Sequence, residues 1–330
     1  MINSRNKSVL RRSALGSLVT LAIGFLGLPG LAQEFPAKPF KFIVPFPPGS
    51  ATDTSARHYG KKLAEITGQG VVIENKPGAN GFIAVKALLA APADGYTVFI
   101  GSNSTLAVNA ALFKALPYDP VADFSPLSML VRVPALLIVP ASSPHQTLAE
   151  LMAAAKSQPD SLTYGAGSAG YQLMAELFNE TARIQTRGVP FKGASEAVMG
   201  VASASVNLSF VEITSAQELI KSGKLRGLAI ASMKRSPVLP AVPTASEAGL
   251  AGYTAYAWVA AAVSSKTPRD ETEKLATLFT RIANLPETRE FYDRIGGELM
   301  RGGPEEMRIF QSAEITLWKR IAAQAKIEQQ

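Results

Sequence analysis

Short apolar runs alternate with amphipathic stretches along most of the chain. Phe42-Ile43-Val44-Pro45 reads as a buried strand, residues 54–66 have helical spacing, and Val71-Val72-Ile73 is a second strand ended by Asn75-Lys76-Pro77-Gly78. A helix over 83–91 and a turn at Asp94-Gly95 lead into Thr97-Val98-Phe99-Ile100. Wholly apolar strands separated by helices predict a βαβαβ unit, a parallel sheet covered on both faces. After an extended run over 133–139 the rhythm restarts. Helices over 148–156, 173–181 and 215–221 alternate with strands over 162–164, 206–210 and 228–231. A long apolar run over 255–263 is followed mainly by helices, over 270–282, 287–295 and 304–325. The runs near 137 and 257 read as two crossings between lobes. Residues 137–256 are therefore expected as a lobe inserted into another built from 33–136 and 257–330. Two crossings make a hinge, and a hinge makes a cleft.

Residues 1–32 follow a different pattern. Arg5, Lys7, Arg11 and Arg12 precede an uncharged apolar stretch over 14–28, and Pro29-Gly30-Leu31-Ala32 breaks it with small residues. This is the pattern of a signal peptide cleaved after about Ala32, and it places the mature chain in the periplasm. The apolar stretch is short against the roughly 20 residues a membrane-spanning helix needs. Arg11-Arg12 is equally compatible with twin-arginine export. Removing residues 1–32 takes four basic residues and no acidic one, so the net charge falls from +7 to +3. That is too mild to argue for nucleic acid as a partner.

The absence of cysteine excludes disulfides, thiol catalysis and thiolate metal sites. His58 and His145 are the only histidines and lie far apart in sequence. His58, beside Arg57 and Lys61, is expected on a solvated helix face, and His145 in an exposed Ser-Pro-His-Gln turn. No cofactor or metal is implied.

The sharpest local feature is Pro45-Phe46-Pro47-Pro48-Gly49-Ser50-Ala51-Thr52-Asp53, which leaves a buried strand and enters a helix. Three prolines stiffen it, and Gly49 permits close backbone approach. Ser50, Thr52 or Asp53 can cap the helix. A helix start offers free N–H groups and a positive dipole end, which suits a carboxylate. Asp53 would repel such an anion and is assigned first to capping, and second to a ligand ammonium. Gly101-Ser102-Asn103-Ser104-Thr105 is a second strand-to-helix loop whose hydroxyls and amide can donate without adding charge. Gly165-Ala166-Gly167-Ser168-Ala169-Gly170 formally matches the dinucleotide fingerprint. However, Val189-Pro190-Phe191-Lys192 stands where an acidic residue should hold the ribose. The simpler reading is a second anion-binding helix start. Tyr171, Phe210, Tyr256 and Trp258 lie near these loops and can line a pocket.

Phe35-Pro36-Ala37-Lys38-Pro39, the 45–53 loop, Val72-Ile73-Glu74-Asn75-Lys76-Pro77-Gly78-Ala79 and Asp94-Gly95-Tyr96-Thr97 occur in that order. Leu116-Pro117-Tyr118-Asp119-Pro120, Val189-Pro190-Phe191-Lys192-Gly193, Gly223-Lys224-Leu225-Arg226 and Lys234-Arg235-Ser236-Pro237 follow. Together they make the chain resemble the substrate-binding proteins of tripartite tricarboxylate transporters, the Bug or TctC-like family. The resemblance implies a periplasmic binding protein type II-like fold, with two α/β lobes, a hinge and an interlobe cleft. It also implies a small carboxylate ligand, aliphatic or aromatic, delivered to a membrane permease by a protein expected to be a monomer. The family's grip on the carboxylate maps to Phe46, Gly49, Ser50, Ala51, Thr52 and Asp53. It continues at Ser102, Asn103 and Ser104, and at Gly167, Ser168, Ala169, Gly170 and Tyr171; Phe210 and Trp258, from their place beside these loops, are expected as walls. Ser50 replaces a usual second glycine. Tyr171-Gln172 and Phe210-Val211-Glu212 also depart from the family pattern. These changes are expected to add bulk, remove polar groups and alter the ligand. A sensory subunit of the same fold, docking on a receptor, and an exported α/β enzyme are the competing readings. The second lacks a GxSxG motif or a partnered histidine.

Overall fold

The computed structural model describes residues 35–325 and 327–329, so the expected signal peptide lies outside the described residues. Strand β1 (Phe40–Val44) buries Phe40, Phe42, Ile43 and Val44, as a strand covered on both faces must. It pairs in parallel with β2 (Val71–Asn75) and β3 (Thr97–Ser102). The crossovers are α1 (Ala51–Thr67) and α2 (Phe82–Leu89), giving the βαβαβ unit expected from the sequence.

Beyond β3 the sheet is mixed rather than parallel. Strand β4 (Phe124–Pro140) is 17 residues long. Its first part, Phe124 to Pro134, pairs antiparallel with β9 (Tyr256–Ser264), which in turn runs antiparallel to β3. Pro126 is tolerated because the register slips there. From Ala135 onward β4 pairs antiparallel with β7 (Leu208–Glu212) and β8 (Leu225–Ile230). Strand β5 (Thr163–Ala166) then lies parallel between β7 and β6 (Arg187–Pro190). The order is β2-β1-β3-β9-β4-β7-β5-β6. The chain changes sheet half where Ala135 N–H bonds Ala255 O, Ala255 N–H bonds Ala231 O, and Ala231 N–H bonds Ala135 O, all at 2.8–3.0 Å.

A short α3 (Asn109–Leu112) follows β3, and helices α4 (Leu148–Ser157), α5 (Ala169–Ala182), α6 (Ala194–Ala202) and α7 (Ile213–Lys221) cover the second half of the sheet. Helices α8 (Arg269–Ala283), α9 (Pro286–Arg294) and α10 (Pro304–Gln324) follow β9, with a two-residue β10 (Glu298–Leu299) beside β4. Among the described residues no helix is long and apolar enough to cross a membrane.

His58 corrects one expectation. Instead of facing solvent, its ring stacks on Phe291 at 4.2 Å between centroids and its Nε2 sits 2.9 Å from Thr288 Oγ1. Burial, together with the Lys62 and Arg294 charges, pushes its pKa down to about 4 from the ordinary 6.5. The folded state therefore prefers neutral His58. The stability this contributes is present above about pH 6.5 and is lost as the pH falls toward 4. A shift of this size corresponds to at most about 3 kcal/mol, discounted to about 1–2 kcal/mol because the ring is partly solvated. The expected outcome is a melting temperature that falls across that window, and falls less in His58→Phe, as measured by calorimetry at matched ionic strength. His145 is likewise half-buried rather than exposed.

Candidate ligand-binding site

Two helices begin where strands from the two halves of the sheet end, and both begin earlier than periodicity predicts. Helix α1 starts at Ala51, and Ser50 rather than Thr52 or Asp53 is its N-cap, with Ser50 Oγ accepting from Asp53 N–H at 3.3 Å. Helix α5 starts at Ala169 behind the N-cap Ser168, whose hydroxyl accepts from Tyr171 N–H at 3.4 Å. These helices are 17 and 14 residues long, so each presents a full positive dipole end. The β3 loop works differently. It enters a π-helical turn, Ser104–Val108, in which the Ser102 and Thr105 hydroxyls bond locally. That leaves Asn103, 2% exposed, with an amide nitrogen that has no hydrogen-bond partner.

A small cavity of about 30 Å³ lies where these parts meet, room for a few water molecules. Of the residues expected at a site, Phe46, Ser50, Ala51, Thr52, Ser102, Asn103, Gly167, Ser168, Tyr171 and Trp258 line it. Ser104 does not line it but ties the halves together, its Oγ accepting from Gly170 N–H of α5 at 3.0 Å. Ala169 is buried in the same first turn. Gly49, at φ +86°, sits at the edge facing Ser195, whose hydroxyl lies 3.5 Å from Pro48 O.

Asp53 stands behind the cavity as a brace. Its carboxylate accepts from Gly49 N–H, the Arg57 guanidinium and the Asn75 amide at 2.9–3.0 Å, and Asn75 also bonds Phe46 O. This holds the proline-rich loop against β2. Phe210 packs against Phe178 and Tyr253 in the core of the second half. Tyr256 lies under Arg132 outside the cavity.

The residue that sequence reasoning missed is Glu212. It is 2% exposed and lines the cavity from the end of β7. One oxygen, Oε1, accepts from Ala51 N–H at the start of α1 at 3.0 Å. The other, Oε2, accepts a hydrogen bond from the Tyr171 hydroxyl. Burial and this neighbouring negative charge push the Tyr171 pKa well above its ordinary value, so the hydroxyl stays a donor. The expectation that the departures from the family pattern remove polar groups therefore fails at Glu212, which brings a charged group into the cavity. The signal is its place in Phe210-Val211-Glu212, which reads in sequence as a wall instead of a ligand to the opposite helix.

The glycines of the fingerprint-like loop serve packing. A Cβ on Gly167 would lie 2.5 Å from Ala194 N and from the Gly193 carbonyl carbon. One on Gly170 would lie 2.7 Å from Asn103 Nδ2. Close approach of loop to loop explains the pattern.

Two α/β halves joined by long antiparallel strands, with strand-to-helix loops from both facing one cavity, define a fold of the periplasmic binding protein class. The model of the tripartite tricarboxylate transporter family receptors, TctC, matches residues 55–327. The protein BugT of Bordetella pertussis is 33% identical over 91% of this chain and 93% of its own. Rpa4515 of R. palustris, solved with adipate, superposes with a TM-score of 0.86 at 32% identity, covering 90% of this chain and all of that one. The periplasmic binding protein BugD superposes with a TM-score of 0.83 at 26% identity, covering 90% of this chain and all of that one. The chain belongs to the TctC/Bug family of solute-binding receptors.

Proposed function

We propose that this chain captures a small organic carboxylate in the periplasm, between two hinged lobes, and delivers it to the membrane permease of a tripartite tricarboxylate-type transporter. It is exported with residues 1–32 removed, works as a monomer and performs no reaction on its ligand. One observation carries the reading: the starts of α1 and α5, from opposite halves of the sheet, converge on one cavity beside the unpartnered Asn103 amide. The positive dipole ends of the two helices and the Asn103 side-chain amide suit an anion without a permanent positive charge. The adipate in Rpa4515 supports a carboxylic acid as the ligand class.

The lobes are residues 33–136 with 257–330, and 137–256. The hinge falls in β4 and β9, beside the Ala135–Ala231–Ala255 bonds. The cavity is small, and a ligand enters as the lobes part. The ligand then favours the closed form through the contacts it adds there.

The test is a thermal-shift panel of aliphatic, aromatic and amide-bearing acids. An acid at ten times its dissociation constant is expected to stabilise the protein by about 1.4 kcal/mol. A panel without a single shift, repeated by calorimetry, removes the reading, as does turnover of a bound acid.

A further inference from the structure

We infer that Glu212 sets the ligand class of this cavity: it excludes a second carboxylate and selects an acid whose other end carries a hydrogen-bond donor. The inference rests on the solute-capture reading above. The cavity holds two complementary polar groups. Glu212 is a buried acceptor whose two oxygens take Ala51 N–H and the Tyr171 hydroxyl, and each oxygen keeps a lone pair. Asn103 is a buried donor with an unused N–H. Glu212 itself occupies the α1 helix start, the place where an anionic ligand group would gain most. A diacid would therefore bring its second charge against the buried Glu212 carboxylate, and like charges repel more strongly inside a protein than in water. An amide, hydroxyl or ammonium at that end would instead donate to Glu212, while the acid or carbonyl end accepts from Asn103. The Trp258 indole N–H does not compete, because it is committed to Glu314 at 2.7 Å.

The test uses a length-matched pair, adipate and its monoamide, titrated calorimetrically into the mature wild-type protein and Glu212→Gln. The substitution keeps the shape and the acceptor for Ala51 but removes the charge. The wild type is expected to bind the monoamide at least ten-fold more tightly than adipate. Glu212→Gln is expected to bring the two within about three-fold, or to bind adipate where the wild type does not. A wild type that holds adipate as tightly as the monoamide overturns the inference and leaves solute capture standing. So does a preference unchanged in Glu212→Gln. Should that variant fail to fold, the wild-type ratio decides alone. If neither acid binds either protein at millimolar concentration, and no other acid in the panel does, solute capture falls and the inference falls with it.

Discussion

Gly167→Ala is expected to weaken ligand binding at least 100-fold and to destabilise the ligand-free protein by about 3 kcal/mol. The added methyl would lie 2.5 Å from two backbone atoms, Ala194 N and the Gly193 carbonyl carbon, and backbone cannot rotate away as a side chain can. The loop after β5 and the start of α6 must separate, and overpacking of this kind costs about 1–3 kcal/mol, sometimes more. Gly167, Ser168 and Ala194 all line the cavity, so the separation also pulls one wall of the site apart. Gly49→Ala is the control. At φ +86° it carries backbone strain of about 1 kcal/mol, but its methyl would meet nothing closer than Ser195 Oγ at 3.8 Å. Urea denaturation and calorimetric titration of both variants separate crowding from strain. Equal effects in the two would refute the packing account of the loop.

What the chain disclosed beforehand was local. The βαβαβ unit was readable because β1 and β3 are apolar on both faces and the helices between them are amphipathic. The two strand-to-helix loops were readable because proline, glycine and capping residues mark them whatever they pack against. The helix starts came out late because Ala51-Thr52 and Ala169-Gly170 are small residues without apolar periodicity, and only the cap bonds define them. Strand β6 carries no hydrophobic signal, because its Arg187, Gly188 and Pro190 are exposed. The antiparallel β4–β9 pairing and the placements of Glu212 and His58 share one cause, distance along the chain. Glu212 finds Ala51 across 161 residues, and His58 finds Thr288 across 230. No period or motif reports such pairings. The departure at Glu212 could be seen in the sequence, while its meaning lay in the facing helix.

That facing contact makes Tyr171→Phe the second large effect expected here, a loss of about 3 kcal/mol from a substitution that removes one oxygen. The Tyr171 ring is itself buried, and phenylalanine preserves its packing. The cost falls on Glu212, whose Oε2 loses its hydroxyl donor while the carboxylate remains buried against α1. Leaving a buried acceptor without its donor costs about 1–3 kcal/mol, and more when the acceptor is charged, so this case falls near about 3 kcal/mol with the Ala51 N–H bond and the helix dipole still in place. The double variant Tyr171→Phe/Glu212→Gln should recover at least about 1 kcal/mol relative to Tyr171→Phe, because a neutral amide tolerates the lost donor better than a carboxylate does. Chemical denaturation of the two single variants and the double variant measures that coupling. Strict additivity would mean that Tyr171 and Glu212 do not act as a pair, and the charged wall of the cavity would then need another account.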